Sequence, residues 1–329
     1  MRLLATTTMA TAAIAAAFAV SAPQAEAQVA VFATNPQGSL GYRTGIAVAK
    51  TVTEKVDGVT GRPRPMGGST TYIPIVNRGE VGFGFTNALE AHQAVVGEGS
   101  FKGRAQTNLR LMGNMFPLVA GLAVPADSGV KNAADLKKLK GKRATSEYTS
   151  LTAIESWMRG AIANAGMDYD KDFKKVPVSG FVKGIFALGE GKTDVTWISL
   201  GNGAGRKVMT QLRNRGGWVH VNLDDSPEAV ARMRKFAPPG SITKITNTKL
   251  PGITGPTNMI QFDYVLFTHK GMSDEVVYKI TKALATNKKH LASSMGLFNR
   301  LPADGFAKPD YMPWHPGALK ALKELGLKK

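Results

Sequence analysis

Catalysis needs a nucleophile, a titrating pair or a metal, and the side chains for each can be sought directly in the sequence. The chain has no cysteine, which removes thiol nucleophiles, thiolate ligands and disulfides together. Its five histidines, His92, His220, His269, His290 and His315, stand far apart, with no His-x-x-x-His pair and no neighbouring carboxylate cluster to hold a metal. Each is expected at the surface or at a helix cap. A Gly-x-Ser-x-Gly elbow and a Walker loop are also missing from the sequence. No catalytic residue, metal or cofactor is therefore expected. A site assembled from scattered residues would leave no such motif, so an enzyme stays open as an alternative.

Binding chemistry is better supplied. Four small polar loops each stand between a strand-like and a helix-like stretch: residues 38–43 (Gly-Ser-Leu-Gly-Tyr-Arg), residues 67–71 (Gly-Gly-Ser-Thr-Thr), Thr86-Asn87, and Tyr148-Thr149-Ser150. Helix starts present unpaired backbone N–H groups, and with hydroxyls beside them they bind carboxylates or phosphates without an arginine. Gly, Ser, Thr and Asn are also ordinary turn and cap residues, so each loop alone is better read as structure. Four converging starts would make an anion pocket. Trp197 and Phe116, each at the end of a strand-like run, could wall it or belong to the core.

Around these loops β-branched runs alternate with amphipathic stretches, the pattern of an α/β fold with largely parallel sheets. Strands are expected over residues 29–33, 62–66, 81–86, 118–125, 143–146, 173–178, 193–199, 218–221 and 258–268. Helices are expected over 41–56, with Ile46, Ala49 and Val52 on the buried face, over 149–166, with a Thr152/Glu155 capping box, and over 273–292, capped by Ser273. In an open parallel sheet the ligand lies off the carboxyl ends of the strands, where the four loops fall.

Residues 1–27 read as a secretory signal peptide: Arg2, an apolar run over 10–20, and Ala25-Glu26-Ala27 before Gln28. The remainder is long enough for two lobes, assigned as residues 28–124 with 259–329, and residues 125–258. Net charge is +18, a field that attracts anions. The Lys and Arg residues are dispersed rather than striped, so nucleic acid is not expected as a partner. A secreted basic protein that binds anionic partners remains a second alternative.

The succession Gly38-Ser39 to Tyr42, Gly67-Gly68-Ser69, Gly79-Glu80-Val81-Gly82-Phe83 and Thr86-Asn87 resembles the solute receptors of TRAP transporters, of the TAXI subfamily. The likeness continues through Asp127-Ser128-Gly129-Val130, Asp135-Leu136, and Leu139-Lys140-Gly141-Lys142-Arg143. It runs on through Gly191-Lys192 with Asp194, Gly201-Asn202-Gly203-Ala204, Val276-Val277-Tyr278-Lys279-Ile280, and His315-Pro316-Gly317-Ala318. The resemblance implies a type II periplasmic binding protein, two α/β lobes joined by crossing strands with a central cleft. It further implies a monomer that hands a small organic anion or amino acid, of the glutamate or 2-oxoglutarate class, to a TRAP permease. By position it makes Ser39, Tyr42, Ser69, Asn87, Thr149, Ser150 and Asn202 the ligand contacts, beside Trp197. Arg43 stands where the family has a second aromatic, and either pairs with a carboxylate or faces solvent. The loop of residues 146–150 has no Gly where the family is Gly-rich. Its Glu147 either points outward or, inside, would favour a ligand carrying an amino group.

Overall fold

The computed structural model describes residues 28–308 and 311–329; the segment read as a signal peptide lies outside them. The chain begins as a strand–helix alternation: β1 (Gln28–Thr34), α1 (Leu40–Lys55), β2 (Val59–Pro65), α2 (Ser69–Asn77), β3 (Phe83–Asn87) and α3 (Ala88–Val96). After the long strand β4 (Leu109–Pro125) come β5 (Arg143–Ser146), α4 (Ala153–Asn164), α5 (Tyr169–Asp172), β6 (Lys174–Pro177), α6 (Phe181–Gly189) and β7 (Thr196–Ser199). Next are α7 (Gly203–Gln211), β8 (Trp218–His220), α8 (Pro227–Arg234) and β9 (Ser241–Ile245). The chain then returns through β10 (Thr257–His269) to α9 (Asp274–Thr286), α10 (Lys288–Ser294) and α11 (Pro316–Glu324).

The main sheet runs β2-β1-β3-β10-β4-β7, with β8 also on β4 and β9 also on β10. β1 is parallel to β2 and β3, whereas β10 is antiparallel to β3, β4 and β9. β4 and β10 pair with each other from Ala120↔Ile260 to Leu109↔His269, and each changes its other partner on the way. Tyr264 to Thr268 of β10 pair with β3, while Thr257 to Gln261 pair with β9. Residues 120–125 of β4 pair with β7 and β8. The two strands therefore run from one lobe into the other, and within the stretch of β10 paired with β3 their mutual register shifts twice, between Tyr264 and Val265 and between Leu266 and Phe267. Strands β5 and β6 form a small parallel pair, which Ala144 ties to Val195 beside β7.

Both crossing strands are buried over nearly their whole length, which is why their apolar residues, as in residues 115–125 and 264–267, are not held to strict alternation. An aromatic stack fills the first lobe: Phe32 on Phe83 at 4.9 Å, and Phe116 between Tyr264 at 5.6 Å and the edge of Phe298 at 5.2 Å. Phe116 is core and not pocket wall.

Several local expectations are corrected. Ile46 is 42% exposed; the buried stripe of α1 runs instead through Val48, Ala49 and Val52. The helix expected over 273–292 is two helices, broken at Asn287, whose amide donates back to the Ala283 carbonyl at 2.8 Å. Helix α4 starts at Ala153, and the Thr152 side chain does not cap it because its hydroxyl is engaged elsewhere. His315 caps α11, accepting from Gly317 N, whereas His220 is a core residue packed edge-on against Trp218. Among the described residues no His, Asp and Glu cluster is arranged to hold a metal, and no helix is long and apolar enough to cross a membrane.

Candidate functional site

A cavity lies off the carboxyl ends of β1, β3 and β7, where the two lobes face each other. It leaves about 50 Å³ open to the centres of water-sized molecules. One wall comes from the first lobe: Asn35 just after β1, Leu40 and Gly41 at the start of α1, Ser69 at the start of α2, and Asn87 at the end of β3. Leu118, Phe262 and Tyr264 of the crossing strands form its floor. The opposite wall is apolar and aromatic, made by Leu151, Ile154, Trp157, Phe181 and Trp197, with Ser199 the one hydroxyl among them. Trp157 stacks on Phe262 at 4.1 Å, and its indole N–H has no hydrogen-bond partner although the side chain is buried. An unpaired buried donor costs about 1–3 kcal/mol, so a ligand acceptor beside Trp157 would be well used.

Behind the polar wall sits a carboxylate. Glu90, in the first turn of α3 and 1% exposed, accepts from the hydroxyls of Ser69, of Thr70 at 2.6 Å and of Thr86 at 2.7 Å. Asn87 caps α3 through its Oδ1, which accepts from Glu90 N at 3.1 Å, and its Nδ2 lies 3.5 Å from Glu90 Oε2. Burial pushes the Glu90 carboxyl up, and the donated hydroxyls hold it down. The position between the starts of α2 and α3 favours negative charge. Burial likewise raises the Tyr72 and Tyr264 hydroxyls, which neighbour Glu90.

The cleft is shut by bonds from both sides. Arg43 donates through Nη1 to the Gly201 carbonyl at 2.8 Å. The first two N–H groups of α7, on Gly203 and Ala204, both donate to the Gly38 carbonyl at 3.1 Å. On the far rim, Thr152 N donates to Thr70 Oγ1 at 3.3 Å, and the Thr152 hydroxyl meets those of Thr70 and Ser100. Gly68 packs so closely under the Ser150 carbonyl that a Cβ there would lie 2.1 Å from the oxygen.

Of the residues nominated from sequence, Ser69, Asn87 and Trp197 line the cavity. Ser39 is buried as the N-cap of α1, accepting from Tyr42 N, and Asn202 caps α7 through Gly205 N, with its Nδ2 left unpaired. Tyr42 lies outside the lining. Thr149 and Ser150 both donate to the Ser179 carbonyl, tying the loop before α4 to the loop before α6. Arg43 faces the opposite lobe. Glu147 is exposed and takes a left-handed φ of 51°, the conformation for which a glycine would be the usual choice. Sequence reasoning passed over Asn35, Glu90, Trp157, Phe181, Ser199 and Tyr264. For Glu90 a signal existed: it stands three residues after Asn87, the spacing of a cap and its N3 partner.

The sequence model of the NMT1-like family matches residues 32–326. Among solved structures, one described as a periplasmic transporter is 14% identical, covering 91% of this chain and 93% of its own at a TM-score of 0.56. PhnD1 from Prochlorococcus marinus, in complex with methylphosphonate, is 14% identical over 91% of this chain and 99% of its own, at 0.53. The periplasmic nitrate-binding protein NrtA from Synechocystis is 12% identical over 82% of this chain and 66% of its own, at 0.52. These likenesses establish the fold, that of the two-lobed periplasmic binding proteins.

Proposed function

The chain belongs to the NMT1-like family, and from that membership we propose that it is an extracytoplasmic solute receptor that closes its lobes over a small organic acid. In this reading residues 28–124 with 259–329 and residues 125–258 move as the two lobes, swivelling where β4 and β10 pass between them. Closure around the ligand marks the form that a membrane permease accepts, a TRAP-type permease by the resemblance above.

The observation that carries the reading is the cavity itself, walled by both lobes and shut by hydrogen bonds that cross the cleft on two sides. A ligand that touches both walls stabilises the closed state by contacts the open state lacks, which is the condition for it to act as a switch. The aromatic wall supports a ligand with an apolar body, and the Trp157 N–H supports one acceptor group at that wall, such as a carboxylate.

The test is a thermal-shift screen of refolded protein, freed of co-purified ligand, against carboxylates and amino acids. A ligand at about 100 times its Kd is expected to add about 2.7 kcal/mol of stability. A flat response across the whole panel would sink the reading.

A further inference from the structure

We propose that Glu90 sets the charge preference of the cavity, turning its polar wall away from a second carboxylate and toward a neutral or amino-bearing group; this rests on the solute-receptor reading. Ser69 lines the cavity and would be the obvious donor to a ligand anion. Its hydroxyl hydrogen is already given to Glu90, as are those of Thr70 and Thr86. What Ser69 offers the cavity is therefore oxygen lone pairs. Asn87 is committed in part, its Oδ1 accepting from Glu90 N and one of its two Nδ2 hydrogens directed toward the Glu90 carboxylate at 3.5 Å. Glu90 thus acts through its neighbours as a positioning residue: it orients the hydroxyls inward and leaves their acceptor side outward.

The start of α2 is where an incoming carboxylate would ordinarily find its donors. Here the hydroxyls of Ser69 and Thr70 are already given to a resident carboxylate, and a ligand carboxylate placed at the Ser69 side chain would meet lone pairs, with a carboxyl group behind. Two buried donors at the cavity stay unpaired, Trp157 Nε1 on the opposite wall and the Tyr264 hydroxyl on the floor. One acid group that meets Trp157 and Tyr264, with a hydrogen-bond donor or apolar end at Ser69, suits these side chains; a second acid group at the Ser69 hydroxyl does not. This narrows the glutamate and 2-oxoglutarate class expected from the sequence to acids without the distal carboxylate.

Calorimetry with matched probes tests the assignment: 2-oxopentanoate against 2-oxoglutarate, and norvaline against glutamate, each on the wild type and on Glu90→Gln. The wild type is expected to favour the first member of each pair by about tenfold or more, the factor carried by one charged hydrogen bond. Glu90→Gln, which frees one hydroxyl to turn outward, is expected to shrink that ratio at least about threefold, a change that a general loss of fold would not produce. A wild-type preference for the diacids overturns the assignment, and needs no variant to be seen. So does a ratio unchanged by Glu90→Gln, and in both cases the receptor reading stands. Silence of both proteins toward every probe and every other acid overturns the two together.

Discussion

Arg43 and Gly201 join the lobes: the guanidinium Nη1, on α1, donates at 2.8 Å to a carbonyl in the turn between β7 and α7. Burial and the nearby Arg206 lower its pKa, so the cation is held in place at some electrostatic cost. The sequence left this side chain between solvent and ligand, and the structure gives it to the opposite lobe.

Because Arg43 contributes to closure, Arg43→Met is expected to weaken every ligand alike, by about three- to tenfold, since the bond is charged but half exposed. Calorimetry should show the affinities falling in parallel, and stopped-flow measurements a faster release. A change in ligand ranking would instead place Arg43 in the cavity.

Gly68→Ala separates closure from folding. Its new Cβ would strike the Ser150 carbonyl at 2.1 Å, but only when the lobes are together. The apo protein is expected to melt as the wild type does, while small-angle scattering shows no ligand-induced compaction and binding weakens by about a hundredfold or more. Normal compaction would show that the contact is not a stop.

Trp157→Phe keeps the stack on Phe262 and deletes the unpartnered N–H. Affinity for an acid is expected to fall by about five- to tenfold, near 1 kcal/mol, with stability unchanged or raised. Equal loss of stability and affinity would assign the indole to packing alone.

His220 gives a pH signature. Burial pushes its pKa down to about 4, against about 6.5 when unfolded. The unfolded chain therefore takes the proton first, so the stability tied to a neutral His220 is fully present above about pH 6.5 and is lost as pH falls toward 4. The loss is about 3 kcal/mol at most. Urea titrations at several pH values should show this slope, and His220→Phe should flatten it.

The residues explain why the fold was legible and the site only partly so. Strand–helix alternation exposes the layers because periods of two and 3.6 are written in burial. The first half of β4 was missed because Arg110 and Asn114 interrupt its apolar run; Asn114 is accommodated by Asp263, through Nδ2 to Oδ1 at 2.8 Å. Ser39, Asn87 and Asn202 drew notice as ligand contacts, yet all three cap helices, a role that uses the same atoms. Glu90 went unnoticed because a carboxylate in a short helix is ordinarily solvated. Only its meeting with Ser69 and Thr70, distant in sequence, puts it inside. Trp157 was correctly read as buried, but periodicity says nothing about what lies across the gap.

The placement of β10 between β3 and β4 has a consequence for biogenesis. The central strand of the sheet is the last strand among the described residues, so as synthesis proceeds β3 and β4 each keep an unpaired edge until residue 269 has emerged. Neither lobe can complete its hydrogen-bonded ladder before then. A nascent chain built this way keeps its sheet unfinished until translation is nearly over, and then a single strand completes the ladders of both lobes.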